Sequence, residues 1–86
     1  MIQVSFKASF VKQFNKLDHV LAEEIIEKIA LFKNLDNHTK LKVHKLHGKL
    51  KTIWSFSVNY KIRIVFIYES KNEVVFLAIG DHDVYK

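Results

Sequence analysis

The sequence predicts an α+β fold of order β-α-α-β-β-β, with an antiparallel meander and two N-terminal helices packed on one face of the sheet. Three observations lead there. Apolar and polar residues alternate at the start, apolar residues then recur at helical spacing as far as Phe32, and three β-branched and aromatic runs follow Lys51, separated by short polar breaks. A chain of 86 residues that is 49% hydrophobic can bury one core, so we expect one domain spanning 1–86.

Ile2, Val4 and Phe6 alternate with Gln3 and Ser5, the pattern of a short strand with one buried face. From Ser9, Phe10, Phe14 and Leu17 fall on one side of a first helix. Asp18 has the chemistry of an N-cap for a longer helix, whose stripe is Leu21, Ile25, Ile29 and Phe32 and whose wet side holds Glu23, Glu24, Glu27 and Lys28. After Asn34 the run "DNHTKLKVHKLHGKLK" is too polar for a buried element and reads as a connector. "TIWSFSV", "RIVFIYE" and "EVVFLAIG" are the strands of the meander, with hairpins at Asn59 and at "SKNE". The last two are apolar on both faces and are expected at the centre of the sheet. If Ser70 to Glu73 form the second loop, Glu69 faces Val74. Counting back then pairs Arg63 with Gly80 and Lys61 with His82, so that Arg63 and His82 share a face.

Charge is unevenly distributed. Between Asn37 and Tyr68 there is no Asp or Glu, while Lys40, Lys42, Lys45, Lys49, Lys51, Lys61 and Arg63 supply seven positive charges. The remainder carries seven basic and nine acidic residues, 7 − 9 = −2, within a net +5. Such a segment attracts polyanions or acidic partners. There is no cysteine, which excludes disulfides and thiolate metal sites, and no apolar run approaches the roughly 18–20 residues that span a bilayer. The expectation is a cytoplasmic protein without a membrane segment.

Cleaving RNA through its own 2′-hydroxyl requires one group to take the hydroxyl proton, another to protonate the leaving 5′-oxygen, and cations to hold the phosphoryl charge. His82, flanked by Asp81 and Asp83, and His44 from the connector suit the proton roles. Arg63 suits the phosphate, Tyr85 a base or phosphate contact, and Lys42, Lys45, Lys49, Lys51 and Lys61 the RNA backbone. Arg63 is alternatively a structural partner of Glu69 or Asp81. His44 and His47 with His82 and Asp83 would be the donors of a metal site, but H-x-x-H without a compact helix is a poor signature, and neither metal nor other cofactor is expected. Trp54 reads as a sheet-packing residue.

Three stretches, "KLHGKLKTIWSFSV", "YKIRIVF" and the terminal "IGDHDVY", resemble in order and spacing the motifs of the RelE/ParE toxin superfamily of type II toxin–antitoxin systems. The resemblance covers essentially the whole chain. It implies a RelE-like fold and a metal-independent endoribonuclease acting on mRNA, often on the ribosome, silenced by a cognate antitoxin. By the same resemblance Arg63 matches the arginine that contacts the scissile phosphate. His82 matches the terminal-motif histidine of the YafQ-like branch, proposed there as general acid or base, and His44 a second histidine of that branch. Tyr85 matches a late Tyr or Phe, and Lys49 and Lys51 the connector cations. Asp81 and His82 stand where other members place a second arginine, and Ser57 where the YafQ-like branch has another histidine. Members that inhibit DNA gyrase share the fold without this residue set, which leaves a non-catalytic gyrase inhibitor or a degenerate nucleic-acid-binding member as alternatives.

Overall fold

The computed structural model describes residues 1–47 and 52–81. Strand β1 (Gln3–Phe6) is followed by helix α1 (Ala8–Asn15) and helix α2 (His19–Phe32). A 3-10 turn at Leu35–Asn37 precedes β2 (His44–Lys45), β3 (Trp54–Ser57), β4 (Arg63–Ser70) and β5 (Glu73–Gly80). The sheet order is β1-β5-β4-β3-β2, with β1 parallel to β5 and the other neighbours antiparallel. The doubly apolar runs β4 and β5 are internal, as their composition requires.

Asp18 caps α2, its Oδ1 accepting from the Leu21 amide at 2.9 Å. Helix α1 has no side-chain cap and is instead fastened to the sheet. Ser9 Oγ donates to the Leu77 carbonyl at 2.7 Å, and Gln13 Oε1 accepts from the Ile79 amide at 2.9 Å. Both helices cover one face, where Phe10, Ile25 and Phe32 meet Phe56, Ile64, Phe66 and Phe76. Phe32 is the hub: its ring stacks on Phe56 at 4.6 Å and meets Phe66 and Phe76 edge-on at 5.0 and 5.4 Å. Trp54 packs on Phe66 and Tyr68 along the same face, the sheet role its sequence context suggests.

Two expectations need correction. The basic connector is not merely a link. Leu41 and Leu46 are buried, β2 adds a fifth strand, and the Leu41 carbonyl and Leu46 amide bond Ser57 N and Ile53 O, each at 2.8 Å. The apolar anchors Leu41, Val43 and Leu46 are spaced among lysines, so the average polarity of the segment conceals an edge strand whose charged side chains blunt it against further pairing.

The second correction concerns register. Glu69 does not face Val74: Ser70 pairs with Glu73, Tyr68 takes Val74, and Glu69 is bulged out. A second irregularity at Leu77 restores the count, so Arg63 does pair with Gly80. One extra residue on each strand cancels, and the side-chain faces return to the simple register.

Candidate functional site

Alternation along the strands places the candidate site on the sheet face opposite the helices. With Phe56 and Ile64 in the helix-side core, Ser55, Ser57, Arg63 and Val65 point the other way. Two cross-strand rows follow from the register. His44, Ser55, Val65 and Ala78 form one, and Ser57, Arg63 and Gly80 the next. Ser55 and Val65 in the first row are buried, whereas Ser57, Arg63, Ala78 and Gly80 are half-buried. Two strand spacings and two residues of rise separate the Cα atoms of His44 and Arg63 by about 12 Å, within joint reach of the two side chains and a bound phosphodiester.

Arg63 is half-buried, and its Nη1 donates to Ser57 Oγ at 2.7 Å, which fixes the plane of the guanidinium. His44 is exposed, and its Nδ1 lies 2.8 Å from the Lys42 carbonyl. A carbonyl only accepts, so Nδ1 carries the proton and Nε2 is the nitrogen available for proton exchange. Lys42 is the single described non-glycine residue with positive φ, 57°, and this left-handed backbone turns its carbonyl toward the imidazole. His38 contrasts with His44: its Nε2 lies 2.7 Å from the Phe32 carbonyl and its ring stacks on Phe32 at 4.6 Å, a structural use.

The remaining candidates are distributed unevenly. Lys45 pairs with Trp54 and therefore projects to the face opposite His44. Lys61 is exposed at the β3–β4 turn, in a hollow shared with Asp18 and Glu24. Asp81 is exposed directly after β5. His82, Tyr85, Lys49 and Lys51 lie outside the described residues. Among the described residues no three His, Asp or Glu side chains converge as metal ligands, and no helix is long and apolar enough to cross a membrane. A cleft of about 280 Å³ borders Arg63 and is also lined by Lys28, Lys40 and Lys42. The sequence places Lys28 on the wet side of α2, and its position on the cleft follows from α2 lying beside the β3–β4 turn, where Glu24 meets Asn59. Lys40 lay within the recognised basic run but was not singled out.

No family profile matches the sequence, and no curated protein matches it. Solved structures do. A conserved hypothetical protein from Helicobacter pylori superposes with TM-score 0.74 at 24% identity, covering 100% of both chains. A copper-bound mutant toxin from the same organism gives 0.65 at 25% identity, over 96% of this chain and 97% of its own. The toxin–antitoxin complex RelBE2 from Mycobacterium tuberculosis gives 0.75 at 17%, over 94% and 98%. The fold is that of the RelE-like toxin superfamily.

Proposed function

We propose that this chain is the toxin of a type II toxin–antitoxin system and an endoribonuclease that cleaves mRNA, on the ribosome, in the cytoplasm. The observation that carries the reading is the shared sheet face of Arg63, held by Ser57, and His44, held by the Lys42 carbonyl with Nε2 outward. In the reaction, a base takes the proton of the 2′-hydroxyl and O2′ bonds to phosphorus. The bond from phosphorus to O5′ breaks and O5′ is protonated, leaving a 2′,3′-cyclic phosphate and a 5′-hydroxyl. Arg63 stabilises the charge on the non-bridging oxygens by planar, charge-assisted hydrogen bonds. His44 is one proton-transfer group. His82, two residues beyond the Gly80 that faces Arg63, is the other on sequence grounds, with Tyr85 and Asp81 assisting. Lys42 and, on sequence grounds, Lys49 and Lys51 hold flanking phosphates. The reaction needs no metal in this scheme.

The natural partner in this reading is an acidic antitoxin. It neutralises the basic surface between Lys40 and Arg63, and its affinity falls as salt rises. The test is expression of wild type, His44→Ala, His82→Ala and Arg63→Ala without antitoxin, with mRNA ends mapped and the termini identified. Loss of cleavage with Arg63→Ala and at least one histidine variant is expected. Undiminished cleavage by Arg63→Ala would overturn the assignment, and intact mRNA with arrested supercoiling would identify a gyrase inhibitor instead.

A further inference from the structure

The cleft on the outer side of Arg63 carries more charge than the chemistry at His44 uses. Lys28 comes from α2, Lys40 and Lys42 from the segment before β2, and Arg63 from β4, and among the described residues that line the space there is no carboxylate. Like charges brought together repel unless something neutralises them. Helix α2 contains the usual remedy, because Glu24 and Lys28 stand at i,i+4, the spacing of a helical ion pair. The pair is not made. Glu24 Oε1 instead accepts from Asn59 Nδ2 at 2.9 Å. The carboxylate that would quench Lys28 is thus drawn away to hold the β3–β4 turn.

That turn is held firmly and displays an aromatic ring. Asn59 Oδ1 accepts from the amides of Lys61 and Ile62 at 2.9 and 2.8 Å, and Val58 N donates to the Ile62 carbonyl at 2.9 Å. At its tip Tyr60, on the rim of the cleft, is 90% exposed. An aromatic side chain kept in water beside a cluster of cations is the pairing that binds single-stranded nucleic acid, with phosphate on the cations and a base stacked on the ring.

We infer that this cleft is a second RNA subsite: Lys28, Lys40 and Lys42 hold a phosphate adjacent to the one at Arg63, and the attached base stacks on Tyr60. The inference builds on the nuclease reading, since Arg63 links the two positions. An acidic protein segment would also satisfy the lysines, but it would gain little from a ring displayed at the rim, so the exposed Tyr60 favours RNA. A strand running from the cleft over Arg63 would continue toward His44, which gives the substrate a direction across the sheet edge.

Binding separates this subsite from catalysis. A short labelled 2′-O-methyl RNA has no free 2′-hydroxyl and cannot be cut by internal attack, so its affinity reports binding without cleavage, and the variants at Lys28 and Tyr60 report the subsite's share of it. Fluorescence anisotropy should show Lys28→Gln weakening binding several-fold and reducing the slope of log affinity against log salt by about 0.7. Tyr60→Leu should weaken binding by about fivefold or more, with Tyr60→Phe close to wild type. Thermal unfolding of all three should stay near wild type, since Tyr60 is exposed and Lys28 is only half-buried. Wild-type affinity and slope in Lys28→Gln together with wild-type affinity in Tyr60→Leu would overturn the subsite, as would failure of the wild-type protein to bind. A glutamate-rich peptide that binds as tightly, with the same sensitivity to Tyr60→Leu, would overturn it in favour of an acidic partner. The nuclease reading is judged separately, by cleavage of unmodified RNA by Arg63→Ala, so either idea can fail while the other stands.

Discussion

Lys42 adopts φ of 57° although it is not glycine. For an L-residue with a Cβ this conformation costs roughly 1–2 kcal/mol, and glycine removes that cost while giving back part of the gain as greater freedom in the unfolded chain. Lys42→Gly should therefore be more stable than Lys42→Ala by about 1 kcal/mol, for both lose the same ammonium and differ only in the Cβ. In a domain of this size that difference corresponds to about 4–8 °C in Tm. Circular dichroism melts of the three proteins measure it directly. Function should move the other way: both variants lose one cation beside Arg63, and RNA affinity should fall in both. The glycine variant keeps the backbone carbonyl that meets His44 Nδ1, so its pH–rate profile should match wild type. An alanine variant as stable as the glycine one would refute the strain argument. It would also remove the reason to regard Lys42 as a residue retained for its site at a cost to stability.

Three further outcomes follow from the geometry. Phe32→Ala removes the ring at the centre of the aromatic core and should cost about 3–5 kcal/mol, a large part of the roughly 4–13 kcal/mol expected for a chain of this length; urea unfolding that shows a loss below about 1 kcal/mol would show that Phe32 is not the hub. Ser57→Ala deletes the acceptor of Arg63 Nη1, and should lower RNA cleavage about tenfold, mostly in kcat, while changing stability by about 1 kcal/mol or less; Ser57→Thr should restore the rate, and unchanged kcat in the alanine variant would make the contact incidental. Burial raises the pKa of Tyr68 above its ordinary value near 10. The unfolded chain therefore loses this proton first on the alkaline side. The contribution is fully present below about pH 10 and is lost as pH rises through the folded pKa, so stability measured in that range should fall less steeply in Tyr68→Phe.

The sequence was informative wherever one periodicity dominated. The Asp18 cap, the stripe from Leu21 to Phe32 and the three runs of the meander all reappear at nearly their expected boundaries, because each has local chemistry that agrees with its tertiary role. It was less informative where a few residues act against their neighbours. Leu41 and Leu46 are buried inside a segment that is otherwise lysine and histidine, and a two-residue strand has no period to detect. Arg63 was legible as a candidate from its isolated guanidinium in an apolar strand, and His44 from its place in the basic run. The diversion of Glu24 from Lys28 to Asn59 was not, since the two partners are 35 residues apart and local spacing favours the wrong pair.

The two strand irregularities set which residues of β4 and β5 reach the core and which reach the other face. Along β4 and β5 the pairing shifts by one residue at Glu69 and shifts back at Leu77. Arg63 and Phe66 stand three residues apart on β4 with no irregularity between them and so keep opposite faces, whereas on β5 the extra residue at Leu77 is what lets Phe76 and Ile79, also three apart, both face the helices. With both irregularities present the aromatic core and the Ser57–Arg63–Gly80 row are satisfied together. The extra residue at Leu77 also lies where α1 is fastened, its carbonyl receiving the Ser9 hydroxyl, with Gln13 bonding Ile79 two residues further on. Helix α1 therefore holds in place the end of β5 that faces Arg63, and links packing on one side of the sheet to the geometry proposed for RNA on the other.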